Sequence, residues 1–229
     1  MNGKYVVLIT GASRGLGKAL ASELRNKYQI IITSENESEL KSTAEELNLD
    51  FHVCDVSDYT QIDETVKYIL EKYGRIDILI NNAGVWIQGP LETNEPSYIK
   101  KVFEINTLGV IYMTRAVLPI MIKNQSGTIL IVNSVSGITT KPERTVYDSS
   151  KWALTGFTEC LRQEVSKYKI KVLSLHPSLM NTALFEKAGK LRDVQKAIEP
   201  EEVAKIVSYM LSVEGDNFLS HVVLRNLNF

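Results

Sequence analysis

Thr10-Gly11-Ala12-Ser13-Arg14-Gly15-Leu16-Gly17 joins a short aliphatic run to an amphipathic one, and its glycine spacing decides the fold. The run before it, Tyr5–Ile9, reads as a strand, and Gly15–Lys27 after it as a helix. Glycines at such a junction permit a tight turn and let backbone N–H groups approach a pyrophosphate at the positive helix end. The spacing separates this loop from two others. A P-loop needs a glycine five positions before Gly17 and Ser or Thr after Lys18, where this chain has Ala12 and Ala19. The G-x-G-x-x-G turn also fails, because the glycines stand at 11, 15 and 17. By itself the loop still leaves a plain tight turn open.

Outward from the loop, short β-branched runs alternate with longer amphipathic ones, the pattern of a parallel sheet wrapped by helices. The remaining strands are expected at Gln29–Thr33, Phe51–Cys54, Ile76–Ile80, Thr128–Asn133, Ile170–Leu175 and Leu219–Leu224. Helices are expected at Glu37–Leu47, Tyr59–Tyr73, Tyr98–Lys123, Val146–Lys167 and Glu201–Leu211. Several strands are solidly apolar, as strands covered on both faces must be. Pro200 followed by two acids reads as a helix start. The expected fold is α/β: a single doubly wound, Rossmann-like domain over residues 1–229, with about seven parallel strands and helices on both faces. Residues 182–199, the least regular stretch, lie just past a strand end and are expected to form a short substrate flap.

Bulk properties narrow the function classes. The 229 residues are 44% hydrophobic and 23% charged with net charge −1, which suits a globular domain and gives no argument for a nucleic acid or anionic membrane as partner. Cys54 and Cys160 show no ligand spacing and read as reduced, buried thiols; with three scattered histidines they predict no metal site. Tyr5–Ile9 is too short for a signal-peptide core, and no stretch is read as approaching the ~18 apolar residues of a membrane span. The expectation is a soluble, cytoplasmic protein.

Further motifs recur in a fixed order. Asp55-Val56 follows the third strand, and Asn81-Asn82-Ala83-Gly84 the fourth. Asn106 sits in Ile-Asn-Thr-Leu-Gly, Ser134 ends the fifth strand, and Tyr147-x-x-x-Lys151 begins thirteen residues after that serine. With Thr10–Gly17 as T-G-x-x-x-G-x-G, this ordered set resembles the short-chain dehydrogenase/reductases of the classical type over nearly the whole chain. The resemblance implies a hydride transfer between NADP or NAD and a carbonyl or secondary alcohol.

The chemistry fits the residues. Reducing a carbonyl requires a proton donor, and the reverse reaction a base. Tyrosine, with a pKa of about 10, is a poor base unless a cation lies close. Lys151, four residues after Tyr147 on one helix face, would favour the phenolate. By resemblance, Tyr147, Lys151, Ser134 and Asn106 form the catalytic set. Ser134 would orient the substrate oxygen, Lys151 would also bind the nicotinamide ribose, and Asn106 would hold a water leading to solvent. Ser136 is a rival for the serine role, which the thirteen-residue interval does not favour.

The cofactor residues implied are Gly11, Ser13, Arg14, Gly15, Leu16, Gly17, Ser34, Asp55, Val56, Asn82, Ala83 and Gly84, with Tyr147 and Lys151. Pro177, Ser178, Leu179 and Thr182 follow, resembling the family's P-G-x-x-x-T segment. Ser178 replaces the glycine there and is strained by ~1 kcal/mol or more if that position needs positive φ. His176 reads as structural. Arg14 and Ser34 favour NADP, because a 2′-phosphate needs a cation and no acid at the second strand's end; Glu35, where many relatives carry a second arginine, keeps NAD open. The resemblance also implies a homodimer or homotetramer through Tyr98–Lys123 and Val146–Lys167. Two other readings stand beside the reductase: a nonenzymatic dinucleotide sensor, for which the intact catalytic set would be superfluous, and an NAD-dependent 3-hydroxy/3-oxoacyl-type dehydrogenase. An extended sugar-nucleotide epimerase would need a G-x-x-G-x-x-G loop, which the chain lacks.

Overall fold

The computed structural model describes residues 4–182 and 197–227. Its centre is one parallel sheet in the order β3-β2-β1-β4-β5-β6-β7. The strands are β1 Val6–Thr10, β2 Gln29–Ser34, β3 Asp50–Val53, β4 Ile78–Asn81, β5 Gly127–Val132, β6 Ile170–Pro177 and β7 His221–Leu224. Each parallel step requires a crossover, and helices α1 Gly15–Leu24, α2 Glu37–Leu47, α3 Tyr59–Tyr73, α4 Pro96–Phe103, α5 Gly109–Asn124, α6 Thr145–Val165 and α7 Pro200–Ser212 supply them. The chain order reverses between β1 and β4, the place where such sheets open a crevice beyond their carboxyl ends.

The aliphatic runs explain the layering. Along β1, Val7 and Ile9 join a core with Leu20 and Leu24 of α1 and Val207 of α7. Val6 and Leu8 join the opposite core, with Ile62 and Ile69 of α3, Val117 of α5 and Leu161 of α6. Alternate side chains face opposite layers, so every residue of β1 is apolar up to Thr10. Truncating fully buried Ile9 to Ala would cost ~2–5 kcal/mol. The caps are equally legible. Asn36 Oδ1 accepts from Glu39 N at 3.1 Å at the head of α2, and Gly74 closes α3 at φ 73°. Pro200 opens α7 beside a capping box of Glu199 and Glu202.

Several expectations need correction. The predicted helix Tyr98–Lys123 starts at Pro96, tolerates Pro119, and is broken by a π turn over Glu104–Leu108. An extra residue in one turn leaves the apolar period almost unchanged, so the pattern hides it. The helix expected at Gly15–Lys27 ends at Leu24, and the last strand starts at His221 rather than Leu219. Cys160 is exposed rather than buried, whereas Cys54 is buried. The helical run Pro96–Asn124 is long and apolar enough to cross a membrane by length and composition, contrary to the sequence reading, although half of its most apolar window is buried. Its inner face, including Val102, Met113 and Met121, packs in the protein core. The flap predicted at 182–199 falls largely outside the described residues. At its edges Met180 bridges to Ile198, and Asn181 N donates to the Ile198 carbonyl at 2.9 Å.

Candidate active site

A cleft of about 450 Å³ runs along the carboxyl ends of the strands, from Glu39 and Ser34 past the glycine loop to Tyr147, Lys151 and Thr182. The loop's glycines are there for contact. Gly11 has φ 63°, and a Cβ on it would sit 2.7 Å from Ala83 Cα; one on Gly17 would sit 2.4 Å from the Gly11 carbonyl oxygen. Among the described residues no side chain caps the head of α1, the positive end of that helix. Asn82 locks this turn from β4: its Nδ2 donates to the carbonyls of Thr10 and Gly11 at 2.9 and 3.0 Å. Thr10 Oγ1 accepts from Asn82 N and Ala83 N at 3.0 and 3.1 Å.

At the other end, α6 presents Tyr147 and Lys151 one turn apart. Both are buried, and the ammonium lies 5.9 Å from the tyrosine ring centre. Lys151 Nζ donates to the Val132 carbonyl at 3.2 Å, and burial pulls its pKa down to about 8. Trp86 packs on Tyr147 with ring centres 4.2 Å apart, and the Arg144 guanidinium lies 5.1 Å over the Trp86 ring. Ser134 Oγ accepts from Ser136 N at 3.1 Å, capping a short 3₁₀ turn, while its own proton stays available to donate.

His176 fixes the backbone of that serine. It is wholly buried, with Nδ1 3.0 Å from the Ser134 carbonyl and Nε2 2.8 Å from Ser174 Oγ. A carbonyl can only accept, so Nδ1 carries the proton and Nε2 accepts from the serine. Burial holds His176 below its ordinary pKa, in keeping with this neutral form. Asn106 is also wholly buried, in the π turn. Its Oδ1 accepts from Val85 N at 2.8 Å, and its Nδ2 donates to Val85 O and Ser150 Oγ at 3.0 and 3.2 Å.

At the far end, Ser34 Oγ donates to Ser13 Oγ at 3.2 Å, Ser13 Oγ donates to Glu39 Oε2 at 3.3 Å, and Arg14 NH1 lies 3.6 Å from Glu39 Oε1. Asp55 and Val56 line the same end; Asp55 Oδ1 accepts from both Ser57 N and Ser57 Oγ.

Most of the residues singled out in the sequence therefore share one cleft: Gly11, Ser13, Arg14, Gly15, Leu16, Gly17, Ser34, Asp55, Val56, Asn82, Ala83, Gly84, Tyr147, Lys151 and Thr182. Ser134, Asn106, Pro177, Ser178 and Leu179 are not in its lining. Leu179 packs in a cluster with Trp86 and Tyr147, and Ser178 N donates to the Leu224 carbonyl at 2.8 Å. The conditional strain at Ser178 does not arise, because Ser178 is not among the described residues with positive φ. Glu39, Trp86 and Tyr98 line the cleft without having been anticipated. The N-cap spacing Asn36-x-x-Glu39 was the signal for the first; for the others only position after Asn-Asn-Ala-Gly offered one. Among the described residues no group of His, Cys, Asp and Glu has the arrangement of a metal site.

Residues 5–193 match the family described as short chain dehydrogenase. The 3-oxoacyl-(acyl-carrier-protein) reductase of Thermotoga maritima is 35% identical over 232 residues, 95% of this chain and 94% of that one. An alcohol dehydrogenase from the archaeon Thermococcus sibiricus, solved with 5-hydroxy-NADP, has a TM-score of 0.89 and 26% identity over 97% of each chain. A metagenomic short-chain oxidoreductase in complex with NADP has a TM-score of 0.84 and 29% identity, covering 98% of this chain and 97% of the other.

Proposed function

This chain belongs to the short-chain dehydrogenase family, oxidoreductases that act on CH–OH groups with NAD(P), and on that premise we propose that it works between NADP(H) and a carbonyl or secondary alcohol, with Tyr147 as general acid/base. The observation that carries this reading is the shared cleft: Tyr147 and Lys151, one helical turn apart, line the same crevice as the uncapped head of α1.

The cleft fits a dinucleotide. The head of α1 offers backbone donors for a pyrophosphate, Asp55 and Val56 border an adenine site, and Lys151 has donors beyond the one given to Val132 for ribose hydroxyls. When bound, the nicotinamide supplies or accepts the hydride. This chain's part is the proton and the position. Tyr147 Oη gives a proton to the carbonyl oxygen as it becomes an alcohol, and takes one in the reverse direction. The nearby ammonium favours the phenolate that this transfer leaves. Ser134 donates to the same substrate oxygen from its capped turn, and Thr182, which lines the cleft, borders the nicotinamide face. Trp86 and Leu179 pack around Tyr147, which is left 6% exposed.

Arg14 and Ser34 at the far end support NADP, as do the NADP-containing structures of relatives. Glu35 and Glu39 beside them keep NAD in contention. A 3-oxoacyl thioester is the second substrate reading, favoured by the Thermotoga maritima relative. A panel of ketones, keto acids and 3-oxoacyl thioesters, followed by loss of NADPH absorbance, separates the classes. Tyr147→Phe should retain NADPH binding and lose roughly 10²–10⁴-fold in turnover. Equal turnover in both proteins would overturn the assignment.

Assembly into a homodimer or homotetramer is supported by α6. Trp152, Gly156 and Cys160 are exposed at four-residue intervals along one stripe, and a Cβ on Gly156 would meet nothing within 4 Å. A mid-helix glycine costs about 1 kcal/mol against Ala and gains nothing inside this chain, so a flat face for a partner is its use.

A further inference from the structure

Among the described residues, the adenosine end of the cleft is lined by one guanidinium, Arg14, and three carboxylates, Glu35, Glu39 and Asp55, the last already accepting from Ser57 N and Oγ. Glu39 is held in place. Its backbone N–H is bound by Asn36 Oδ1 at 3.1 Å, which puts it in the first turn of α2, where the positive helix end favours an anion. From there its carboxylate gathers the polar groups around it: Arg14 NH1 at 3.6 Å and Ser13 Oγ at 3.3 Å, with Ser34 Oγ 3.2 Å beyond Ser13. A 2′-phosphate reaching this corner would use a guanidinium and hydroxyls of this kind. Glu39 already engages them.

We infer that Glu39 is the cofactor-discriminating residue of this chain, its carboxylate standing where a 2′-phosphate would bind, so that NADP must displace it and NAD need not. The inference rests on the cleft being a dinucleotide site. The Arg14 and Glu39 side chains are 39% and 36% exposed, so their ion pair is weak and opens readily in water. What survives the opening is repulsion, because the carboxylate is tethered to the first turn of α2 and cannot retreat far from the dianion. Glu39 therefore biases the choice without closing it. An adenosine ribose with two hydroxyls meets the opposite situation, since hydroxyls can donate to a carboxylate.

Glu39→Gln removes the charge and keeps the length and one acceptor. Kd values for NADPH and NADH, measured by calorimetric titration without substrate, are compared in wild type, Glu39→Gln, Arg14→Gln and the double variant. Glu39→Gln should tighten NADPH about tenfold, the scale of unit charges opposed at contact distance when water screens them, with NADH unchanged or weaker. Arg14→Gln should weaken NADPH, and the gain from Glu39→Gln should shrink in the double variant, because the guanidinium that the substitution frees is then absent. NADPH affinity within twofold of wild type in Glu39→Gln would overturn the inference. So would an equal tightening of NADPH and NADH, which would show a general loss of negative charge. If wild type binds neither dinucleotide, the reading of the cleft falls as well, an outcome distinct from both.

Discussion

Lys151 is the residue whose replacement should separate stability from function. Its ammonium is buried, and that burial brings its pKa from 10.5 to about 8. At about 1.4 kcal/mol per pKa unit, folding with this group charged is ~3 kcal/mol less favourable than folding with it neutral. Lys151→Met keeps the stem and removes the charge; losing the bond to the Val132 carbonyl returns ~1–2 kcal/mol of that gain. The variant should therefore be more stable at pH 7 by ~1–2 kcal/mol, a Tm rise of about 2–8 °C for a chain of this size. The sign with pH follows from the lowered pKa. The unfolded chain holds the proton up to 10.5 while the folded one releases it near 8, so wild-type stability rises across that window and the variant's does not. Scanning calorimetry of both proteins at pH 7 and pH 9.5, without cofactor, should show the gap closing at the higher pH. Turnover should be lost in the variant at either pH. A variant less stable than wild type at pH 7, or a gap indifferent to pH, would refute the reasoning and place the ammonium in water.

Three other outcomes are expected. Gly17→Ala puts a methyl 2.4 Å from the Gly11 carbonyl, so the loop must shift, and dinucleotide binding by titration should fall by at least tenfold; unchanged binding would mean the loop does not carry the pyrophosphate. His176 is neutral with a lowered pKa, so it contributes stability above about pH 6.5 that is lost as pH falls through its folded value. His176→Leu should be less stable at pH 7 by ~1–3 kcal/mol yet decline less on acidification in denaturant titrations; a parallel decline would assign the acid sensitivity elsewhere. Gly156→Arg should reduce the mass seen by light scattering to that of one chain, and an unchanged mass would remove α6 from the interface.

What was legible in the sequence follows from where its information is local. The strands of the sheet centre are aliphatic runs because both faces are covered, and β1 gives itself away in five residues. The glycine loop is legible because no other residue fits beside Ala83 or the Gly11 carbonyl. Tyr147 and Lys151 share a helix face by spacing alone. The remainder is made by chain crossings that no local period records. Glu39 meets Arg14 because β2 and the glycine loop end side by side, and Trp86 meets Tyr147 from the loop after β4. His176 finds the Ser134 carbonyl because β5 and β6 are paired in register, Val132 beside Leu175. The π turn left no mark at all, since its residues Glu104–Leu108 continue an amphipathic pattern across a changed backbone.

That π turn bears on what Asn106 is for. The family resemblance implies that its side chain holds a water on the way from Lys151 to solvent. The geometry gives it a second task. Val85 follows the Asn-Asn-Ala-Gly turn outside any strand, and its backbone N–H and carbonyl are paired through the Asn106 amide. Buried backbone groups must find partners, so one side chain substitutes here for a strand. The same amide donates to Ser150 Oγ, which donates to the Tyr147 carbonyl at 2.7 Å. Asn106 thus ties the loop that carries Gly84 and Trp86 to the turn of α6 that carries Tyr147 and Lys151. The two tasks predict different losses. Asn106→Leu orphans both Val85 groups and should cost ~2–4 kcal/mol of stability together with turnover. If the residue serves only a water relay, turnover falls while the denaturation midpoint stays within the error of wild type, and the pinning role is wrong.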